Sequence, residues 1–114
     1  MKSINRMAVI IKPKQPFVDW INSMPDDIAN YTLEQADEDN LTFLIPQYDD
    51  PDNAKKYIRN NYEMIFNFEL WGWVTEEDFW PKNRNWEMFN DWFDVEINSE
   101  VFDLVDSEIE KEDL

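Results

Sequence analysis

YIRNNYEMIFNFELWGWVTEEDFWPKNRNWEMFNDWF, residues 57–93, is the stretch around which the rest of the chain must fold. It holds twelve of the eighteen aromatic residues and five of the six tryptophans. Each ring removes a large apolar area from water when covered, so the block can supply most of a small core. Rings left at the surface instead anchor protein partners, because Trp and Tyr are enriched at binding hot spots. Stacking on bases or sugars is a third reading, but base stacking comes with a cationic groove, and the charge of this chain runs against one.

Working upstream from the block, Asp49-Asp50-Pro51-Asp52 reads as a helix start: an Asp cap, Pro at the first position and an acid in the first turn. These acids lack the Gly and the later Glu of a calcium loop, so capping is the favoured reading. Ala54, Tyr57, Ile58, Tyr62, Ile65 and Phe66 then mark one apolar stripe, which predicts a helix running to about Trp71. Gly72, the only glycine, stands where a left-handed helix terminator belongs. One glycine cannot make a phosphate-cradling loop, so P-loop and dinucleotide fingerprints are excluded. Thr75-Glu76-Glu77-Asp78 reads as a cap with an acidic first turn. Asn83 or Asn85 caps a short helix carrying Trp86, Phe89, Trp92 and Phe93.

Downstream, the period changes to two. Asp94-Val95-Glu96-Ile97 alternates as a half-buried strand. Asn98-Ser99 is a tight turn or a bulge, and Val101 to Val105 continues as strand. The acidic segment 106–114 is expected to fray. In the N-terminal half, Met7 to Ile11 reads as a strand buried on both faces, ended by Lys12-Pro13. Phe17, Trp20, Ile21 and Met24 form a helical stripe after Pro16, stopped by Pro25. Asp26 to Asn40 is polar. Within it, Thr32-Leu33-Glu34-Gln35 has the capping-box form and supports one or two helical turns, while Asp37-Glu38-Asp39 reads as a solvated turn. Leu41 to Ile45 is a second strand, expected centrally beside the first, and its connection is long enough for a parallel crossover. The order predicts one α+β domain over residues 1–105, with two layers and a three- or four-stranded mixed sheet packed against helices.

The composition excludes several chemistries. There is no cysteine and no histidine, so disulfides, thiolate chemistry, Cys/His zinc sites and the usual general base are absent. No cofactor or metal site is expected. With 26 acidic against 10 basic residues the net charge is −16, which repels nucleic acid and anionic membranes and attracts basic proteins. The apolar run near the N-terminus is too short for a signal peptide, and no segment approaches a membrane span. A cytoplasmic location is the expectation.

Ile11-Lys12-Pro13-Lys14-Gln15-Pro16-Phe17-Val18-Asp19-Trp20, Phe43-Leu44-Ile45-Pro46, Trp80-Pro81-Lys82-Asn83-Arg84 and Trp92-Phe93-Asp94-Val95-Glu96 together resemble a group of small, acidic, uncharacterised bacterial proteins. The resemblance covers most of the chain and implies no activity, because none is assigned to that group.

The residue types left for chemistry are carboxylates, Lys, Arg, Tyr, Ser and Thr. Glu63, Glu69, Glu76, Glu77, Glu87, Asp91 and Asp94 lie in or near the aromatic block, and a carboxyl pressed against an indole has a raised pKa. Paired carboxylates near tryptophans are the machinery of many glycosidases, so a carboxylate-dependent hydrolase is one expectation. The leading one is a non-catalytic module that binds a protein partner through exposed aromatics at Trp71, Trp73 and Trp80, where a helix ends in a loop. An acidic mimic, immunity-type or nucleic-acid-like, binding a basic partner is the alternative. Among the scarce cations, Lys12, Lys14 and Arg84 are candidates for a small anion-binding notch near a strand end, set against ordinary surface pairing with carboxylates.

Overall fold

The computed structural model describes residues 1–25 and 30–114, so part of the polar stretch 26–40 lies outside the described residues. The order of elements is β1 (Lys2–Ser3), β2 (Arg6–Pro13), α1 (Gln15–Asn22), α2 (Leu33–Ala36), β3 (Leu41–Pro46), α3 (Pro51–Trp71), α4 (Trp86–Trp92), β4 (Phe93–Asn98) and β5 (Phe102–Asp103). A single 3₁₀ turn, Glu77–Phe79, lies between α3 and α4. This is the α+β class read from the sequence, with one layer of sheet and one of helices.

The main sheet has the order β3-β2-β4, and both pairings are antiparallel. It is therefore neither mixed nor built on a parallel β2–β3 crossover, and β3 lies at an edge rather than centrally. β2 spans about 26 Å at strand rise, whereas an eight-residue helix covers only about 12 Å. α1 therefore covers less than half the length of β2, and the chain enters β3 at the end where β2 finished. The crossover belongs to α3 instead. Its 21 residues span about 31 Å, enough to return the chain along the sheet. It joins β3 to β4, which run the same way with β2 between them.

β2 is buried on one face only. Met7, Val9 and Ile11 are within the core, while Ala8 and Ile10 are half-buried on the side without helices. The ladder between the two ends of the chain continues past β2 and β4. Ala8 faces Asn98, and after a break Ser3 faces Phe102. The backbone N–H of Ile4 bridges the break by donating to the carbonyl of Val101 at 3.0 Å. Residues 4–7 intervene on one strand and 99–101 on the other, so the pairing resumes one residue out of step. The feature at Asn98-Ser99 is thus a bulge-like offset, with the extra residue on the N-terminal strand, and not a hairpin. Of the expected strand 101–105, only Phe102–Asp103 forms strand. Residues 104–114 form neither helix nor strand and are exposed.

Local rules account for most helix ends. The Asp50 side chain accepts from the backbone N–H of Asp52 at 2.9 Å, with Pro51 opening α3. Thr32 and Gln35 exchange both bonds of a capping box. Asn85, not Asn83, caps α4 by accepting from the Met88 N–H at 2.8 Å. Asn83 instead takes a left-handed φ of 57°, which Asn tolerates better than most residues. Gly72 differs from expectation: with φ −61° and ψ −23° it continues the right-handed helix. Thr75 caps nothing, since Glu76 precedes the 3₁₀ turn without a side-chain bond.

Aromatic packing holds the layers together. Phe17, Phe66, Phe89 and Phe93 are fully buried. Phe93 lies 4.8 Å from Phe17, 5.5 Å from Phe66 and 5.3 Å from Phe89, centroid to centroid. These rings join α1, α3, α4 and β4 in one cluster, the core reading of the block.

Candidate functional site

The C-terminal turns of α3 carry an anomaly. Ile58, Ile65, Phe66 and Leu70 form its buried stripe, and Glu69, four residues after Ile65, falls on the same stripe. Glu69 is only 9% exposed, and it is the buried charged residue of this core. Among the described residues its Oε1 has no hydrogen-bond partner. Burial away from water disfavours the carboxylate, and the pKa is raised from 4.5 to about 7,.

Glu69 opens on a cavity of about 240 Å³ at the end of the sheet where β2 finishes and β3 begins. Phe17 and Ile21 of α1, Ala36 of α2, Pro13, Leu41 and Gly72 form its apolar wall, with Trp73 beside them. Asp39 and Asn40 supply the remaining polar groups. The Asn40 amide is oriented by donation to the Asp37 carboxylate at 2.8 Å. Trp73 is fixed edge-on between two rings, 6.4 Å from Phe17 and 5.0 Å from Tyr31.

One depression adjoins this cavity, and a second adjoins the first. The first shares Ile21 and Trp73 with the cavity and continues to Tyr31, Glu76 and Phe79. The second shares Thr75 and Glu76 with the first and adds Trp71, Glu77 and Asp78. Trp73 thus lies between the cavity beside Glu69 and a depression lined by Glu76 and Phe79, with Trp71 further out. Trp71 is 54% and Trp73 40% exposed. This is unusual where ten other rings of residues 57–93 mostly serve the core.

Trp80 does not belong to this face. It is 7% exposed and donates its indole N–H to the Val74 carbonyl at 2.8 Å, so it shapes the loop rather than presenting a surface. The cations do not converge either. Lys12 pairs with Glu96 at 3.8 Å; Lys14 pairs with Asp94 at 3.5 Å and donates to the Asn90 carbonyl at 2.6 Å. Arg84 donates to the Pro81 carbonyl and to Asn67 Oδ1, and its guanidinium lies 5.6 Å from the Trp80 ring. Each of the three is held by its own partners. Two of the three take part in ordinary pairing with carboxylates, and the third staples a loop.

Glu69 stood among seven acids of the block, undistinguished by proximity to rings. The signal that isolates it is period: it alone falls on the buried stripe of α3. Asp39 was legible only as part of a solvated turn, because its place in the same cavity lining as Glu69 depends on how α2 and β3 meet.

No family model, curated protein or solved structure matches the chain. No resemblance to any group is thereby shown, and function must be argued from the side chains.

Proposed function

We propose that this chain is a non-catalytic binding module that grips a basic segment of a partner protein on the face formed by Trp71, Trp73, Phe79 and the acids Glu76, Glu77 and Asp78. One observation carries the reading: two tryptophans stand half-exposed on adjoining depressions rimmed by carboxylates. A ring held by neighbouring rings binds at low entropic cost, as hot-spot aromatics do. The acids add selection for Lys and Arg, and the net charge of −16 steers a cationic partner toward the molecule.

The test is an immobilised peptide array of graded Lys and Arg content, with and without aromatic residues. It is probed with the wild-type protein and with the Trp71→Ala/Trp73→Ala double variant, at low and high salt. Basic peptides should bind, keep a measurable part of that binding at high salt, and lose it in the double variant. Binding that disappears with salt and ignores the double substitution would instead support the acidic-mimic reading, carried by the dispersed carboxylates. Equal binding of basic and acidic peptides would remove both.

A further inference from the structure

The cavity beside Glu69 has a composition that the protein-binding reading does not use. Its described wall carries two carboxylates, Glu69 and Asp39, and no cation. α1, α2, β2 and β3 contribute only apolar side chains to it, so these two acids are the titratable residues of its lining. One carboxylate is nine-tenths buried with an oxygen left unpaired, an arrangement that costs free energy unless something supplies the missing donor. Trp73 adds an aromatic ring, and such rings attract cations. The volume of about 240 Å³ exceeds that of a few waters, each occupying about 30 Å³ in the liquid. It suits a short alkyl chain ending in a charged head.

We propose that this cavity is a binding site for one organic ammonium or guanidinium group, its head on Glu69 and Asp39 and its stem against Phe17, Ile21 and Trp73. The site takes the head of a free small amine as readily as a Lys or Arg side chain offered by a partner. It therefore does not depend on the partner-binding face, although it adjoins it. The raised pKa of Glu69 fits the same arrangement: near neutral pH the group is poised to give up its proton when a cation arrives, so binding should release a fraction of a proton.

The probes are n-butylammonium and n-propylguanidinium, with n-butanol as the neutral control. Binding is read by amide and indole NMR shifts during titration, and by calorimetry in two buffers of different ionisation enthalpy. A saturable response in the millimolar range is the scale for so few heavy atoms. It should appear at Glu69, Gly72 and Trp73 for the cations but not for butanol. It should weaken at least ten-fold in Glu69→Gln and strengthen from pH 6 to pH 8. Trp71→Ala, which touches the outer face and not the cavity, should leave it unchanged, so this test can succeed where the peptide test fails. A lysine-containing peptide that shifts Glu69 and Gly72 at ten-fold lower concentration than butylammonium, an effect lost in Glu69→Gln, would identify a partner side chain as the source; equal affinity would identify a free amine. Equal response to butanol, no saturable response, or unchanged affinity in a folded Glu69→Gln protein would overturn the proposal and leave a water-filled cavity.

Discussion

Glu69 shows how one residue can oppose the element that carries it. Its neighbours along the stripe, Ile65 and Leu70, contribute apolar burial to the core, whereas an ionised Glu69 subtracts from it. Below pH 4.5 the carboxyl is protonated in folded and unfolded chains alike, so it imposes no electrostatic cost. As pH rises toward 7 the unfolded chain loses the proton first, and stability falls; above the folded pKa of about 7 the loss is complete,. For such a displacement the loss is at most about 3 kcal/mol. Glu69→Gln should therefore match the wild type near pH 4.5 and exceed it in stability at pH 8, by up to that amount, in denaturant melts at the two pH values. A constant difference across that range would mean that Glu69 does not titrate as described. Gly72 offers a second check. Its φ of −61° is open to any residue, and an added Cβ would sit 3.5 Å from the Glu69 carbonyl oxygen, in ordinary contact. Gly72→Ala should be neutral or stabilising by about 0.4–1 kcal/mol, whereas a left-handed glycine would make it costly. Arg84 is the opposite case. It ties residues 81–84 to α3 through Asn67 and stacks beside Trp80, so Arg84→Ala should destabilise by about 1–3 kcal/mol in the same melts.

At the scale of elements, what could be read from the sequence was whatever local rules decide. The α3 start at Asp50-Pro51, the capping box at Thr32, the cap at Asn85 and the alternation of β4 follow from side chains within a few positions of one another. Asp50→Ala should cost about 1 kcal/mol, since it leaves the Asp52 N–H without its acceptor,; an unchanged denaturation midpoint would remove the cap from the account. Strand direction was not legible in this way. Leu41-Thr42-Phe43-Leu44-Ile45 is apolar enough for a central strand, yet Thr42 and Leu44 face outward from an edge. The direction of the return is set by how the intervening segment packs, which no residue of the strand itself records. The one-residue offset between the β2–β4 and β1–β5 ladders was equally hidden, because register between chain ends has no local signature,. The site follows the same division. Trp71 and Trp73 were legible as a helix end running into a loop and are exposed, Trp80 is buried instead, and Asp39 enters the lining of the Glu69 cavity only through tertiary packing.

The whole molecule is longer than its chain length requires. Its radius of gyration is 15.8 Å and its extents are 46 × 29 × 27 Å, against about 13 Å for a compact chain of this size. Residues 104–114 add exposed length without helix or strand, so removing residues 106–114 should shift the unfolding free energy by less than about 0.5 kcal/mol. Negative charge covers the molecule widely, with Asp94 and Glu96 exposed on β4 and further acids in the last nine residues. That breadth makes location the decisive question: a dispersed field and a defined face both attract cations, but only the face has an address. The most direct measurement is an amide NMR titration with a short peptide of alternating lysine and aromatic residues. The predicted result is a set of shifted resonances confined to Trp71, Trp73 and residues 75–79, with Ala8, Ile10 and Leu44 on the outer sheet face unmoved. Shifts spread over Asp94, Glu96 and residues 106–114, with Trp71 and Trp73 unmoved, would contradict the account.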